Sequence, residues 1–143
     1  VEAGFNQIYD MEDPSVLRYD AGGTYTSGTD IFTQAGIQPE TEPDGFADDF
    51  SWGYRLAGKL TYNNAIGAWT VIPRIGWNHD VDGTTPGPGG SFVDGRKQLS
   101  FGLGFSYLQK WNINFSYTSY FGGGYYNALM DRDFFGASVS YSF

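Results

Sequence analysis

Large apolar residues and small or polar residues alternate one for one along the last third of the chain. Reading back from the terminus, Phe143, Tyr141, Val139, Ala137 and Phe135 take turns with Ser142, Ser140, Ser138 and Gly136. Upstream, Trp111, Ile113, Phe115 and Tyr117 alternate with Asn112, Asn114, Ser116 and Thr118. Before them, Leu99, Phe101, Leu103, Phe105 and Tyr107 alternate with Ser100, Gly102, Gly104 and Ser106. A period of two gathers the large residues on one face of an extended strand; on a helix they would scatter around the axis. The pattern predicts three strands, each with one apolar and one polar face.

Two earlier segments follow the same rule. Residues 50–62 place Trp52, Tyr54, Leu56, Leu60 and Tyr62 opposite Arg55, Ala57, Lys59 and Thr61. Residues 69–79 place Trp69, Val71, Ile75 and Trp77 opposite Thr70, Ile72, Arg74, Gly76 and Asn78. Pro73 has no N–H for a ladder, so a bulge or local break is expected there. Val1–Tyr9, with weaker alternation, makes a sixth strand.

The connections alternate in length. Leu108–Trp111 is a tight turn and Asn63–Ala68 is short, whereas 10–49, 80–96 and 122–133 are long, with many acidic residues, Gly and Pro. Short turns at one end and long loops at the other are the arrangement of outer-membrane barrels. In that frame the short turns and the C-terminus are periplasmic and the long loops extracellular. Trp69 and Trp111 open strands just after short turns, near Tyr62, Tyr107 and Phe143, while Trp52, Trp77 and Phe121 lie at the opposite ends. These read as two aromatic girdles, one per membrane interface. A soluble sandwich would concentrate its aromatics mid-strand instead. The expected fold is all-β: an antiparallel transmembrane β-barrel segment, with residues 1–143 as the C-terminal part of one barrel domain. About six strands fall short of the eight usually needed for closure, so the barrel is incomplete in this chain.

Composition agrees. Aromatic residues make up 19% of the chain and glycine contributes 21 residues, with Leu, Ile and Val sparse beside them. No apolar run approaches the length of a membrane helix, about 18 residues, and an overall negative mean hydropathy is compatible with strands of which only alternate residues meet lipid. Cysteine is absent, which rules out disulfides and thiolate metal sites. Val1-Glu2-Ala3-Gly4-Phe5 has neither a basic nor an apolar leader region, so the chain is expected to be mature or a fragment. The net charge of −8 is concentrated between residues 10 and 49, where ten acidic residues face Arg18 alone. Nucleic-acid binding needs the opposite balance.

The last ten residues carry the most specific signal. A terminal Phe143 preceded by Tyr141, Val139 and Phe135 at alternate positions resembles the C-terminal signal read by the outer-membrane assembly machinery. An edge strand with an aromatic row can add to another open edge through main-chain hydrogen bonds.

The stretches FADDFSWGYR (46–55), NHDVDGTTPGPGGSFVDGRK (78–97) and DRDFFGASVSYSF (131–143) resemble the family catalogued as domain of unknown function 1302. The resemblance runs from about residue 1 to the terminus and is dense from residue 46. It implies a long, porin-like outer-membrane barrel of which this chain is the C-terminal portion. It further implies a lipid bilayer and lipopolysaccharide as surroundings, with the remaining strands supplied by the parent chain. A periplasmic lipoprotein-like partner and an inner-membrane exporter come with the family, and so does export or uptake of hydrophobic compounds. It brings no catalytic residues and no cofactor.

Four sets of residues bear on chemistry. Arg55, Lys59 and Arg74 share the face assigned to the lumen; with 63–68 as a hairpin turn, residue 74 falls near residue 57, and the three bases cluster. Such a patch would favour anionic or carboxylate-bearing solutes, unless it pairs with acids on a plug or on further strands. Asp80, Asp82 and Asp94 flank a Gly/Pro-rich loop with the opening of a calcium loop, but Ser91 occupies the twelfth position where a bidentate Glu belongs; a solvated acidic loop is expected. His79, beside Asp80, has only Ser91 and Ser51 near it by topology, and no nucleophile motif is present, so catalysis is not expected. Residues 10–49 are too long for a structureless loop, and a small hairpin is expected around Val16-Leu17-Arg18-Tyr19. The function expected is a channel or transporter for small organic or hydrophobic compounds; the alternatives are a structural or assembly-partner barrel without a pore, or an outer-membrane enzyme.

Overall fold

The computed structural model describes residues 1–22, 24, 35–36 and 45–143. They form one antiparallel sheet: β1 (Glu2–Gln7), β2 (Phe50–Lys59), β3 (Tyr62–Ile66), β4 (Trp69–Asp82), β5 (Lys97–Tyr107), β6 (Trp111–Phe121) and β7 (Phe134–Tyr141). The strand order is β1-β2-β4-β5-β6-β7, with β3 paired to β4 beyond the end of β2. The sheet is open, and β1 and β7 are its edges.

Seven strands appear where alternation predicts six because β2 and β3 share one side of β4 with a gap between them. Lys59 faces Arg74 and Tyr62 faces Val71. In the gap, the Leu60 N–H donates to the Pro73 carbonyl over 3.0 Å, and proline has no N–H to return. The break expected at Pro73 therefore falls in the partner strand, while β4 runs unbroken through the proline. Residues 63–66, expected in a turn, are strand; the turn is at Gly67 (φ 60°) and Ala68, with Ile66 facing Trp69. Asn64, at φ 53°, marks the irregularity in β3.

The β5–β6 turn is tight, as expected. The Lys110 N–H donates to the Tyr107 carbonyl over 3.0 Å, and Leu108 and Gln109 both take positive φ. Two left-handed residues give the turn the twist of its flanking strands.

Alternation translates into two unlike faces. Trp69, Tyr107, Trp111 and Tyr141 form one in-register row, and Ile75, Phe101, Tyr117 and Phe135 another. The opposite face carries Lys59, Arg74, Gly102, Ser116 and Gly136 in a single row. Phe101, Leu103, Phe115, Tyr117, Val139 and Tyr141 are exposed, and Leu99, Phe105 and Ile113 are half-buried. Among the described residues the buried apolar side chains are Ala21, Phe46, Ala47 and Val93, all in the long connections. No second layer covers the apolar face among them, as a sandwich would require.

The long connections pack together at one end of the sheet. Asp20 bridges to Phe46 and Ala21 to Pro86. The Asp48 carboxylate accepts from the Thr84 N–H over 2.7 Å, and the Asp48 N–H donates to the Thr84 carbonyl over 2.9 Å. The guanidinium of Arg18 sits 5.3 Å above the buried Phe46 ring. The hairpin expected around Val16–Tyr19 is instead a turn: the N–H groups of Val16 and Leu17 both donate to the Asp13 carbonyl. Asp13 accepts from the Ser15 backbone and hydroxyl, which fixes that turn locally and depresses its pKa. Residues 23, 25–34 and 37–44 lie outside the described residues.

Candidate functional site on the polar face

The three bases expected to cluster share one face, but the register pairs Lys59 with Arg74 and leaves Arg55 four residues away along the strand. Arg55 stands between Glu2 on β1 and Asn78 on β4. Lys59 stands directly opposite Arg74, while Ala57 faces Gly76. The pairing is thus shifted by two residues from the expected hairpin, because the turn lies further along the chain. Like charges directly opposite on adjacent strands repel, and the neighbouring strand gives Arg74 a way out. A Cβ on Gly102 would lie 3.5 Å from Arg74 Cβ and 3.8 Å from its Cδ, and one on Gly104 would lie 3.4 Å from Nη2. The arginine runs across β5 over two glycines that leave room for it. Among the described residues none forms a hydrogen bond or ion pair with the side chains of Arg55, Lys59 or Arg74.

The 83–96 connection is a built element that leans over this face. Asp80 and Arg96, at its two ends, form an ion pair of 2.6 Å, and the Val93 N–H also donates to Asp80 over 3.2 Å. Thr85 pairs with Phe92 through backbone and hydroxyl, and the Asp94 N–H donates to the Thr84 hydroxyl over 3.1 Å. The ring of Phe92 is thereby set on Gly4 and Gly53, whose Cβ atoms would stand 3.7 and 3.0 Å from it. Two hollows result, both bordered by Arg55 and Asp80. One, of about 210 Å³, is walled by Glu2, Ser91 and Phe92; the other, of about 130 Å³, by Asn78, Gln98, Tyr120 and Leu129. The amide of Asn78 donates to Gln98 over 2.8 Å and Gln98 donates to Ser100 over 3.3 Å, which orders the floor of the second hollow.

The connection is therefore not the solvated acidic loop expected. Asp80 is buried and committed to Arg96, Asp82 is exposed opposite Trp52, and Asp94 contributes its backbone to Thr84. The structure does not bring the three carboxylates together, and among the described residues no group of three His, Cys, Asp or Glu side chains could hold a metal ion. His79 points to the apolar face, 3.4 Å from the Tyr54 hydroxyl and against the Trp77 ring. Ser51 alternates onto the other face, where its hydroxyl is buried without a partner among the described residues, and the Ser91 carbonyl accepts from Arg96. Phe92 and Arg96 escaped the sequence reading. The one available signal was an aspartate and an arginine bracketing the loop at the ends of two adjacent strands.

Aromatic residues gather at both ends of the sheet. At the short-turn end Trp69 packs on Tyr107 at 5.0 Å and Trp111 on Tyr141 at 4.8 Å, ring centre to ring centre. At the other end Trp77 meets Phe121 at 5.9 Å, and Trp52 stands opposite Phe5. In the terminal segment Phe135 pairs with Tyr117, Val139 with Ile113 and Tyr141 with Trp111. Phe143 lies past the strand, fully exposed, with its ring edge-on to Tyr141 at 5.4 Å.

No curated protein and no solved structure matches the chain. The model of the family described as "Protein of unknown function (DUF1302)" matches residues 1–143. Spanning the whole length, that match agrees with the stretches at 46–55, 78–97 and 131–143, and the chain belongs to the DUF1302 family.

Proposed function

We propose that this sheet is part of the wall of an outer-membrane β-barrel, a channel or transporter for small organic or hydrophobic compounds. One observation supports the reading most. The large apolar side chains are exposed on one face between two aromatic rows, and the opposite face offers glycine, serine and three bases without a partner among the described residues. From Trp69 to Trp77 along β4 is about 26 Å at about 3.3 Å per residue, or about 20 Å of height at the tilt of about 40° of barrel strands, within their apolar band, about 25 Å tall. In this reading lipid meets the apolar face and Arg55, Lys59 and Arg74 line the lumen, where they favour anionic solutes. Open edges are costly in lipid, so further strands of a parent chain join β1 and β7. The terminal strand is the segment the assembly machinery engages. A periplasmic lipoprotein-like partner and an inner-membrane exporter complete the family's setting.

The test is conductance of the full-length protein in a planar bilayer under a salt gradient. Anion-selective current is expected, and neutralising Arg55, Lys59 and Arg74 together with glutamine should shift the reversal potential toward cations. A folded, membrane-inserted protein that passes no current would point to a structural barrel instead.

A further inference from the structure

We infer that the 83–96 connection and Arg55 together form a solute-binding constriction for amphiphilic organic carboxylates. The inference rests on the channel reading and deepens it. An unpaired guanidinium on a lumen wall attracts any anion; here the surroundings select among them. Arg55 borders both hollows under the connection. Two further cations border the second hollow, Arg96, neutralised by Asp80, and Lys97, whose ammonium donates to the Gly95 carbonyl over 3.4 Å, whereas the first hollow has Arg55 as its cation. Glu2, although in register with Arg55, makes no ion pair with it. Above the first hollow lies the Phe92 ring, and the second is flanked by Tyr120 and Leu129.

The wall is thus charged on one side and aromatic on the other. A carboxylate can accept from the Arg55 fork while its ring or alkyl tail covers Phe92. Inorganic anions satisfy only the first contact, and neutral hydrocarbons only the second. Phe92 is held for this task rather than left mobile. Thr85 fixes its backbone on both sides, Asp80–Arg96 ties the ends of the connection, and Gly4 and Gly53 supply the flat seat under its ring. Hollows of about 210 and 130 Å³ suit a single ring with one acidic group rather than a polymer.

The experiment is block of chloride current by benzoate and by acetate in planar bilayers holding the full-length protein. Benzoate should block the wild type at lower concentration than acetate. Arg55→Gln should weaken block by both acids about tenfold, the loss of a charged hydrogen bond. Phe92→Ala should weaken benzoate block about fivefold through lost apolar contact and leave acetate unchanged. A wild type that conducts but is blocked equally by both acids, or a Phe92→Ala variant that still separates them, overturns the constriction and leaves the channel intact. If neither the wild type nor Phe92→Ala conducts, the channel reading fails and the constriction with it.

Discussion

Arg96 reaches back across the base of its loop to Asp80, with Nε at 2.7 Å and Nη2 at 2.6 Å from the same carboxylate oxygen. The third contact of that oxygen is the Val93 N–H. One buried carboxylate therefore fixes both the end of the loop and its return path. Replacing either partner strands the other in a half-dry site. Asp80→Asn or Arg96→Gln should cost about 1–3 kcal/mol. Limited proteolysis should cut either variant faster between residues 86 and 91, while the cleavage rate elsewhere is unchanged.

Gly53 makes a second control on the same loop. A Cβ there would stand 2.7 Å from the His79 carbonyl oxygen and 3.1 Å from Asp80 Cα. Those are backbone atoms of the adjacent strand, so the clash cannot be relieved by a rotamer change. Gly53→Ala should destabilise by about 1–3 kcal/mol in urea titration of the detergent-folded protein. Gly58→Ala, whose nearest neighbour is the Ile75 side chain at 3.1 Å, should cost clearly less.

The unlike faces predict unlike tolerance of charge. Leu103 faces Phe115 and Pro73 within the apolar band, and Ser116 faces Gly102 and Gly136 on the other side. In lipid vesicles Leu103→Arg should cost about 2–4 kcal/mol if it lies near the midplane, and Ser116→Arg much less. Equal costs would mean that lipid does not distinguish the faces.

Asp133 gives the acid response of the β6–β7 loop. It accepts from the Tyr120 N–H at 2.9 Å and the Tyr117 hydroxyl at 2.8 Å, and these bonds hold its pKa below the ordinary 3.8. A depressed folded pKa means the stabilisation is complete above the unfolded value and disappears as pH falls through the folded one. Hydrogen exchange at Tyr120 should therefore be steady above about pH 5 and, after correction for intrinsic rates, lose protection below about pH 4. Asp133→Asn should flatten that dependence.

Phe143 separates assembly from stability. Its side chain is exposed, with its ring set edge-on to Tyr141, so deleting it should change stability by about 1 kcal/mol or less. Phe101, flanked in register by Ile75 and Tyr117, should cost about 1–3 kcal/mol when cut to alanine. If the terminus is an assembly signal, the deletion nevertheless lowers outer-membrane abundance the more. Heat-modifiable folded protein followed over time distinguishes the two, and abundance that simply tracks stability would remove the signal role.

The strands were legible because each writes its facing in single-residue steps, from Leu99 to Tyr107 and from Trp111 to Tyr117. Register was less so: the Asn63-Asn64 pair has the composition of a turn, yet the left-handed Asn64 sits inside β3 and the reversal waits for Gly67. Because a shift of two keeps every side chain on its own face, Arg55, Lys59 and Arg74 stay on one side of the sheet while their spacing changes. The course of the 83–96 loop was not legible at all. Its course depends on Asp20, Asp48, Gly4 and Gly53, residues far away along the chain whose contacts no local pattern announces.

The arginine that crosses β5 has a consequence for how such a surface sorts what passes over it. Gly102, Ser116 and Gly136 lie in one row with Arg74, whose long side chain crosses Gly102 and Gly104, with the shorter Asn114 side chain beside Gly104. The relief of that stretch is then the conformation of a single guanidinium group. Exposed side chains change rotamer in picoseconds to nanoseconds, so the clearance there is a fluctuating quantity, averaged many times during slower events. In the channel proposed above, a molecule sliding across it would meet a soft comb, whose effective height depends on temperature and on how strongly the molecule itself holds the guanidinium down.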